Sequence, residues 1–102
     1  MTPARRAAWE AYLEITGELL PAISDEYSHG PAMGARLDGL VVEMTRHAWL
    51  WGSQGRMMIA AARSAVRIFR NGDREELIPL LRSMAHRLYV LSIAPGHEQR
   101  SR

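Results

Sequence analysis

The chain has 102 residues, of which 47% are hydrophobic and 24% are charged, with a net charge of +2. This length suits one domain rather than two, and the composition is that of a folded globular protein. The chain has no cysteine, which excludes disulfides, thiolate nucleophiles and zinc–thiolate sites. All 13 basic residues are arginine, and we attribute this to GC-rich codon usage rather than to function.

The sequence gives no indication of a membrane location. No apolar stretch approaches the roughly 18 residues that a membrane span requires. The N-terminal segment carries charges every few residues and does not resemble a signal peptide. We therefore expect a cytoplasmic protein.

A first helix is predicted over residues 3–27. Thr2 is suited to the N-cap and Pro3 to the first helical position. Pro21 predicts a kink, because its ring meets the carbonyl of Gly17. Steps of three and four residues define the expected inward face, which consists of Trp9, Tyr12, Leu13, Thr16, Leu19, Leu20 and Ile23.

Two further helices are predicted over residues 31–51 and 56–70, separated by the glycine-containing segment 52–55. Asn71 and Gly72 tolerate the left-handed conformation and predict the end of the third helix. The core stripe of the second helix consists of Met33, Leu37, Leu40, Val41, Met44, Ala48 and Trp51. That of the third consists of Met58, Ile59, Ala62, Ala65, Val66 and Phe69.

A fourth helix is predicted to start at Asp73, with Glu76 completing a capping box. We expect Pro79 to bend the helix or delay its start, and Pro95 and Gly96 to end it. The tail, residues 97–102, is expected to be disordered. The core stripe consists of Leu77, Leu81, Met84, Leu88 and Leu91.

Four amphipathic helices with short connections predict an all-α fold, a single four-helix bundle over residues 1–102. The second and fourth helices carry more apolar residues than one core stripe needs. Because large exposed apolar surfaces are uncommon on monomers, we expect a homodimer joined through these two helices. The predicted interface consists of Val42, Trp49, Leu50, Tyr89, Val90 and Ile93.

Arginines of the third helix share a narrow arc, and three interpretations of this stripe remain open. It can be a solvated face, it can pair with carboxylates of a partner subunit, or it can bind nucleic-acid phosphates. Candidate carboxylates form a ladder on the first helix at Glu10, Glu14 and Glu18. The stripe consists of Arg56, Arg63, Arg67 and Arg70, with Arg74 following in register.

Residues 46–70 contain a pattern typical of a helix-turn-helix. Ala48 and Gly52 have the spacing of that motif, and residues 53–56 would open a recognition helix. Ser53 stands where an apolar residue is usual. DNA binding through this element is therefore an alternative function.

The sequence offers little that predicts catalysis or metal binding. Glu43 and His47 have a workable metal-ligand spacing, but one carboxylate and one imidazole do not make a site. No phosphate-binding loop or nucleophile motif is present. We expect no enzyme activity, metal or cofactor. Methionines that could line an apolar ligand pocket define a further alternative: Met33, Met44, Met57, Met58 and Met84.

Two stretches resemble parts of bacterial transcription regulators. The segment from Trp9-Glu10-Ala11-Tyr12-Leu13 through Leu19-Leu20 resembles the opening dimerisation helix of MarR-type regulators. Residues 67–73 continuing through Met84-Ala85-His86 resemble the closing helix pair of the effector domain of GntR-type regulators. The resemblance implies a helical dimer connected with regulation.

The expected function is that of a small non-enzymatic helical protein that self-associates and acts by macromolecular interaction, in bacterial regulation. A protein partner is preferred to nucleic acid, and no membrane partner is expected. DNA binding through residues 46–70 and binding of an apolar small ligand are the alternatives.

Overall fold

The computed structural model describes residues 2–24 and 31–93, and it is helical almost throughout. No strand occurs in these residues, which confirms the predicted all-α fold. The predicted end of the first helix at Tyr27, the stop at Pro95 and the disordered tail lie outside the described residues. The elements are α1 (Pro3–Glu14), a π-helical segment (Ile15–Leu19), α2 (Leu20–Ser24), α3 (Pro31–His47), a 3₁₀ turn (Ala48–Trp51), α4 (Ser53–Arg70) and α5 (Arg74–Ile93).

Contacts at the helix ends show that neighbouring helices run antiparallel. The Arg5 side chain of α1 donates to the Ser92 carbonyl near the end of α5, at 3.1 Å. At the opposite end of the same helix pair, Arg74 of α5 donates to the Ser24 carbonyl, at 3.2 Å. α1 also packs beside α3, α3 beside α4, and α4 beside α5. The chain is therefore an up-and-down four-helix bundle, in which α3 and α5 occupy diagonal positions.

A π-helical segment joins α1 to α2 where the sequence predicts a kink. The N–H of Leu20 donates to the carbonyl of Ile15, five residues back. This wider turn precedes Pro21, which has no N–H to donate and cannot occupy a regular helix interior without a clash. The proline thus explains the location of the irregularity.

The buried face of α1 differs from the predicted one. Ala8, Ile15, Leu19 and Ile23 are buried, whereas Leu13 is exposed. The small side chain of Ala8 is fully buried, whereas the larger side chains of Trp9 and Tyr12 are only half-buried. The prediction that Leu13 faces the core is wrong.

The junction between α3 and α4 depends on two glycines that serve different purposes. Gly52 takes a φ of 58°, a conformation that residues with a side chain rarely adopt. Gly55 is buried within α4, where its Cα faces the backbone of Ala48. Helix α4 therefore starts at Ser53, ahead of the predicted start at Arg56.

The turn between α4 and α5 follows the predicted stop signal. Of the two predicted stop residues, Gly72 takes a positive φ, of 80°, and Asn71 does not. The N–H of Asp73 donates to the Ile68 carbonyl at 3.1 Å. Helix α5 begins at Arg74, directly after Asp73. Pro79 therefore does not delay the helix start, because it lies inside the helix in its second turn.

The predicted core stripes of α3 and α5 are largely buried. Buried residues from all four helices of the bundle meet in one core. The core includes the side chains of Ile15, Leu19, Leu37, Met44, Met58, Leu77, Leu81, Met84 and Leu88. Polar residues occupy the outer sides of the helices, with the exceptions that define the surfaces below.

Candidate interaction surfaces

The residues predicted to form one interface lie on separate surfaces. Val42 is 53% exposed on the outer side of α3, whereas Tyr89, Val90 and Ile93 are exposed on the outer side of α5. Because α3 and α5 are diagonal in the bundle, their outer sides face away from each other. Trp49, 78% exposed, lies at the turn between α3 and α4. The predicted interface therefore combines residues of separate surfaces, and it stays a prediction.

Leu50 does not belong to the outer surface. It is half-buried and packs against the core. A 3₁₀ turn has three residues per turn rather than 3.6, so it rotates residues 48–51 relative to a continued α-helix. The same turn buries Trp51, whose indole N–H donates to the Ala4 carbonyl at 3.0 Å. Leu50 therefore has less free surface than the predicted interface assumed, and its place in that interface stays a prediction.

Aromatic side chains meet along the line where α1 and α5 pack together. The ring of Trp9 stacks on that of Tyr12, with 5.3 Å between centroids, and Tyr12 lies 5.5 Å from Tyr89. Exposed Leu13 and Ile93 extend this surface along α1 and α5. We call these five residues the aromatic seam. The sequence indicated its α5 residues but placed its α1 residues in the core.

The α5 side of the aromatic seam is basic. Exposed Arg82 and His86 occupy the outer side of α5, and residues 77–93 contain no acidic side chain. An apolar surface with a basic edge favours a partner that offers apolar groups and carboxylates together.

The predicted arginine stripe is present along α4 but does not continue into α5. Arg56, Arg63, Arg67 and Arg70 are all exposed on the outer side of α4, and we call them the arginine row. Arg74 is separated from them, since the chain reverses at Gly72 and its guanidinium reaches the Ser24 carbonyl at 3.2 Å. Arg74 therefore does not share the α4 face, and a common binding site with the arginine row stays a prediction.

The element proposed as a helix-turn-helix is an antiparallel hairpin. A Cβ built on Gly34 would lie 3.6 Å from the Phe69 ring at one end of the α3–α4 pair. At the other end, Gly55 packs against Ala48. The helices thus stay in contact along their full length, whereas the DNA-binding motif crosses its helices at about 90–120°. Between α3 and α4 lies a shallow groove of about 480 Å³ that includes Asp38 and the last three residues of the arginine row.

The glutamate ladder lies on the other side of α3. Glu10 and Glu14 line an open groove of about 560 Å³ between α1 and α3. Glu18 continues the ladder and pairs with Arg36 of α3 at 3.1 Å. We call Glu10, Glu14 and Glu18 the glutamate row. A row of carboxylates and a row of guanidinium groups therefore flank the two sides of α3.

The remaining candidate sites offer little chemistry. His47 contacts Glu43 at 3.2 Å, and no group of three or more possible metal ligands occurs in the described part of the chain. The methionines considered for a ligand pocket are mostly buried core residues, with Met57 the exposed exception. Within residues 2–24 and 31–93, no helix has the length and apolar content needed to cross a membrane.

Comparison of the chain with protein-family models, curated proteins and solved structures yields no match.

Proposed function

We propose that this chain is a non-enzymatic helical protein that self-associates and acts by binding another macromolecule. The observation that carries the proposal is the amount of apolar surface left uncovered by a small bundle. Large hydrophobic residues exposed by at least 40% are Leu13, Val42, Trp49, Met57, Tyr89, Val90 and Ile93. Contiguous apolar patches on soluble proteins mark sites of interaction more often than they mark free surface.

Two separate surfaces support two separate contacts. The outer side of α3 presents Val42 between the two charged rows, and the aromatic seam presents Trp9, Tyr12 and Tyr89 on the other side of the bundle. Aromatic residues are enriched where proteins bind each other, since their large rings bury much area at a small entropic cost. We therefore propose that one surface binds a second copy of the chain and that the other binds a different macromolecule.

Light scattering coupled to size-exclusion chromatography tests the self-association. The expected mass is at least twice that of the 11.5 kDa chain, and it should fall toward one chain on dilution because association follows mass action. A single-chain mass that persists at millimolar concentration would refute the proposal.

Nucleic-acid binding is the second candidate function, and the exposed arginine row favours it. Four guanidinium groups along one helix can contact successive phosphates without reading base sequence. The antiparallel packing of α3 and α4 supports this mode rather than insertion of a recognition helix.

A further inference from the structure

We infer that a second copy of this chain docks on the outer side of α3, with a two-fold axis parallel to that helix. The inference rests on the proposed self-association and assigns the surface and the symmetry that it uses. It follows from the heights of the glutamate row and the arginine row along α3.

The outer side of α3 is suited to close approach by another helix. Its exposed residues recur every three or four positions: Ala32, Ala35, Gly39, Val42 and Arg46. A Cβ built on Gly39 meets nothing within 4 Å, so the space above it is open in a single copy. Small residues let two helix backbones approach closely, and Val42 supplies apolar area between them.

The height of each glutamate, meaning its position along the axis of α3, is given by the α3 residue beside it. Glu18 pairs with Arg36 near the start of α3. Glu10 shares two grooves with His47, at the end of α3. Glu14 is halfway between its neighbours in the ladder and lines the groove beside Gly39. The row therefore descends along α3 from residue 47 to residue 36.

The arginine row covers the same heights on the other side. Arg56 follows Gly55, which packs on Ala48 at the end of α3. Arg63 lines a groove with Val41, near the middle of α3. Arg70 lines a groove with Gly34 and Ala35, near its start, and Arg67 lies between Arg63 and Arg70. The levels of Glu10, Glu14 and Glu18 thus match those of Arg56, Arg63 and the Arg67–Arg70 pair.

This arrangement distinguishes between the two possible two-fold docking modes. An axis perpendicular to α3 makes the helices antiparallel and places each glutamate row opposite the other glutamate row. An axis parallel to α3 preserves heights and exchanges sides, which places each glutamate row opposite the partner's arginine row. Only the parallel axis avoids like-charge repulsion, and it forms the complementary contact twice.

Charge complementarity also favours a second copy over an unrelated partner at this surface. The two rows are opposite in sign and lie at matching positions along α3, and both occur on one chain. The α5 edge of the aromatic seam differs, because it carries Arg82 and His86 and residues 77–93 contain no carboxylate to pair with them. The seam therefore stays available for a different macromolecule.

Reciprocal charge exchange tests the inference. One variant carries Glu10→Arg and Glu14→Arg, and the other carries Arg56→Glu and Arg63→Glu. Each variant alone should self-associate at least about tenfold more weakly than the natural chain, because like charges then face each other on both sides of α3. Mixing the two should restore a complex of one copy of each, detected by native mass spectrometry, since every row then faces its opposite.

Matched controls separate this contact from non-specific charge effects. The pair Glu75→Arg with Glu76→Arg, and the pair Arg82→Glu with Arg87→Glu, change the net charge equally on α5. Each control should self-associate like the natural chain, and mixing them should produce no preference for mixed complexes. Equal responses of the control and row variants would overturn the inference.

Other outcomes are equally distinct. A natural chain that is monomeric throughout refutes the proposed self-association itself. If the natural chain dimerises, the row variants do not weaken the dimer, and Tyr89→Glu with Ile93→Glu dissociates it, the α3 contact is refuted. The proposed self-association stands in that case. As a further check, Gly39→Gln should favour the α3 helix in a single copy yet weaken self-association, because the added side chain fills the space that the partner helix needs.

Discussion

At Gly55, hydrogen is the only side chain that the packing of α4 against the preceding 3₁₀ turn allows. A Cβ built there would lie 2.6 Å from the carbonyl carbon and 2.8 Å from the Cα of Ala48, and closer still to the carbonyl oxygen. These are backbone atoms, which cannot move aside as a flexible side chain can. Gly34, in α3, differs because a Cβ there would touch only the Phe69 ring, at an ordinary 3.6 Å.

We therefore expect Gly55→Ala to destabilise the fold and Gly34→Ala to leave it unchanged or stabilise it. Forcing a methyl group into the Gly55 contact should lower the free energy of unfolding by about 3 kcal/mol. The same substitution at Gly34 should raise it by up to about 1 kcal/mol, because alanine favours the helix over glycine. Urea unfolding followed by circular dichroism measures both. Equal stability of the two variants would contradict the assigned close contact.

At the scale of a single element, α5 contains a proline that its geometry does not require. Pro79 is exposed and lies in the second turn of the helix. A missing N–H has no cost at the first helical positions, but Pro79 lies beyond them. A residue with an N–H at this position would donate to the carbonyl of Glu75, four residues back. At the start of α5, before Pro79, the backbone carbonyl of Asp73 accepts from the N–H groups of Glu76 and Leu77 at 3.0 and 3.1 Å.

Pro79→Ala should therefore stabilise the protein. The gain from the restored helical hydrogen bond and the relieved ring clash is about 3 kcal/mol at most, reduced by the greater freedom of the unfolded chain to about 1–2 kcal/mol. Thermal unfolding gives the direct measurement. Pro21→Ala is the informative comparison, because the π-helical segment already accommodates that proline and the gain there should be smaller. A loss of stability in Pro79→Ala would show that the proline has a structural purpose.

At the scale of the whole molecule, the distribution of charge matters more than its net value of +2. The arginine row and the glutamate row are separated by α3, so groups of opposite charge are concentrated on its two sides, although Arg36 pairs with Glu18 and Asp38 lies beside the arginine row. The arginine row can contact only a few phosphates of a nucleic acid, which in the proposed dimer would also compete with the carboxylates of the second copy. Both effects limit affinity, and because the contact is electrostatic it weakens further as the salt concentration rises.

We expect electrophoretic shift assays to detect duplex binding at low salt, with equal affinity for unrelated sequences and loss of binding near physiological salt. Arg63→Ala with Arg67→Ala should weaken this binding, while Arg82→Ala with Arg87→Ala should weaken it less, since those two arginines lie on α5. Tight, sequence-selective binding at physiological salt would contradict this expectation and support direct DNA recognition as the function.

Much of this fold is predictable because its signals are local. The Thr2 hydroxyl accepts from the N–H of Arg5 at 3.1 Å, as the first N-cap requires, and Gly72 ends α4 as expected. Hydrogen bonds of this kind depend on residues three to five positions apart, which the sequence specifies directly. Helical periodicity likewise predicted the buried stripes of α3 and α5, because each stripe reports one side of one helix.

What the sequence determined is the set of helices and most of their buried faces, whereas the tertiary structure decided how the exposed faces are grouped. Gly52 and Gly55 look alike in the sequence, yet one provides a positive φ and the other a close approach between backbones. The aromatic seam and the separation of Val42 from Tyr89 depend on which helices are neighbours. Periodicity carries information only along one helix, and the positions of helices relative to each other follow from packing between residues far apart in the chain.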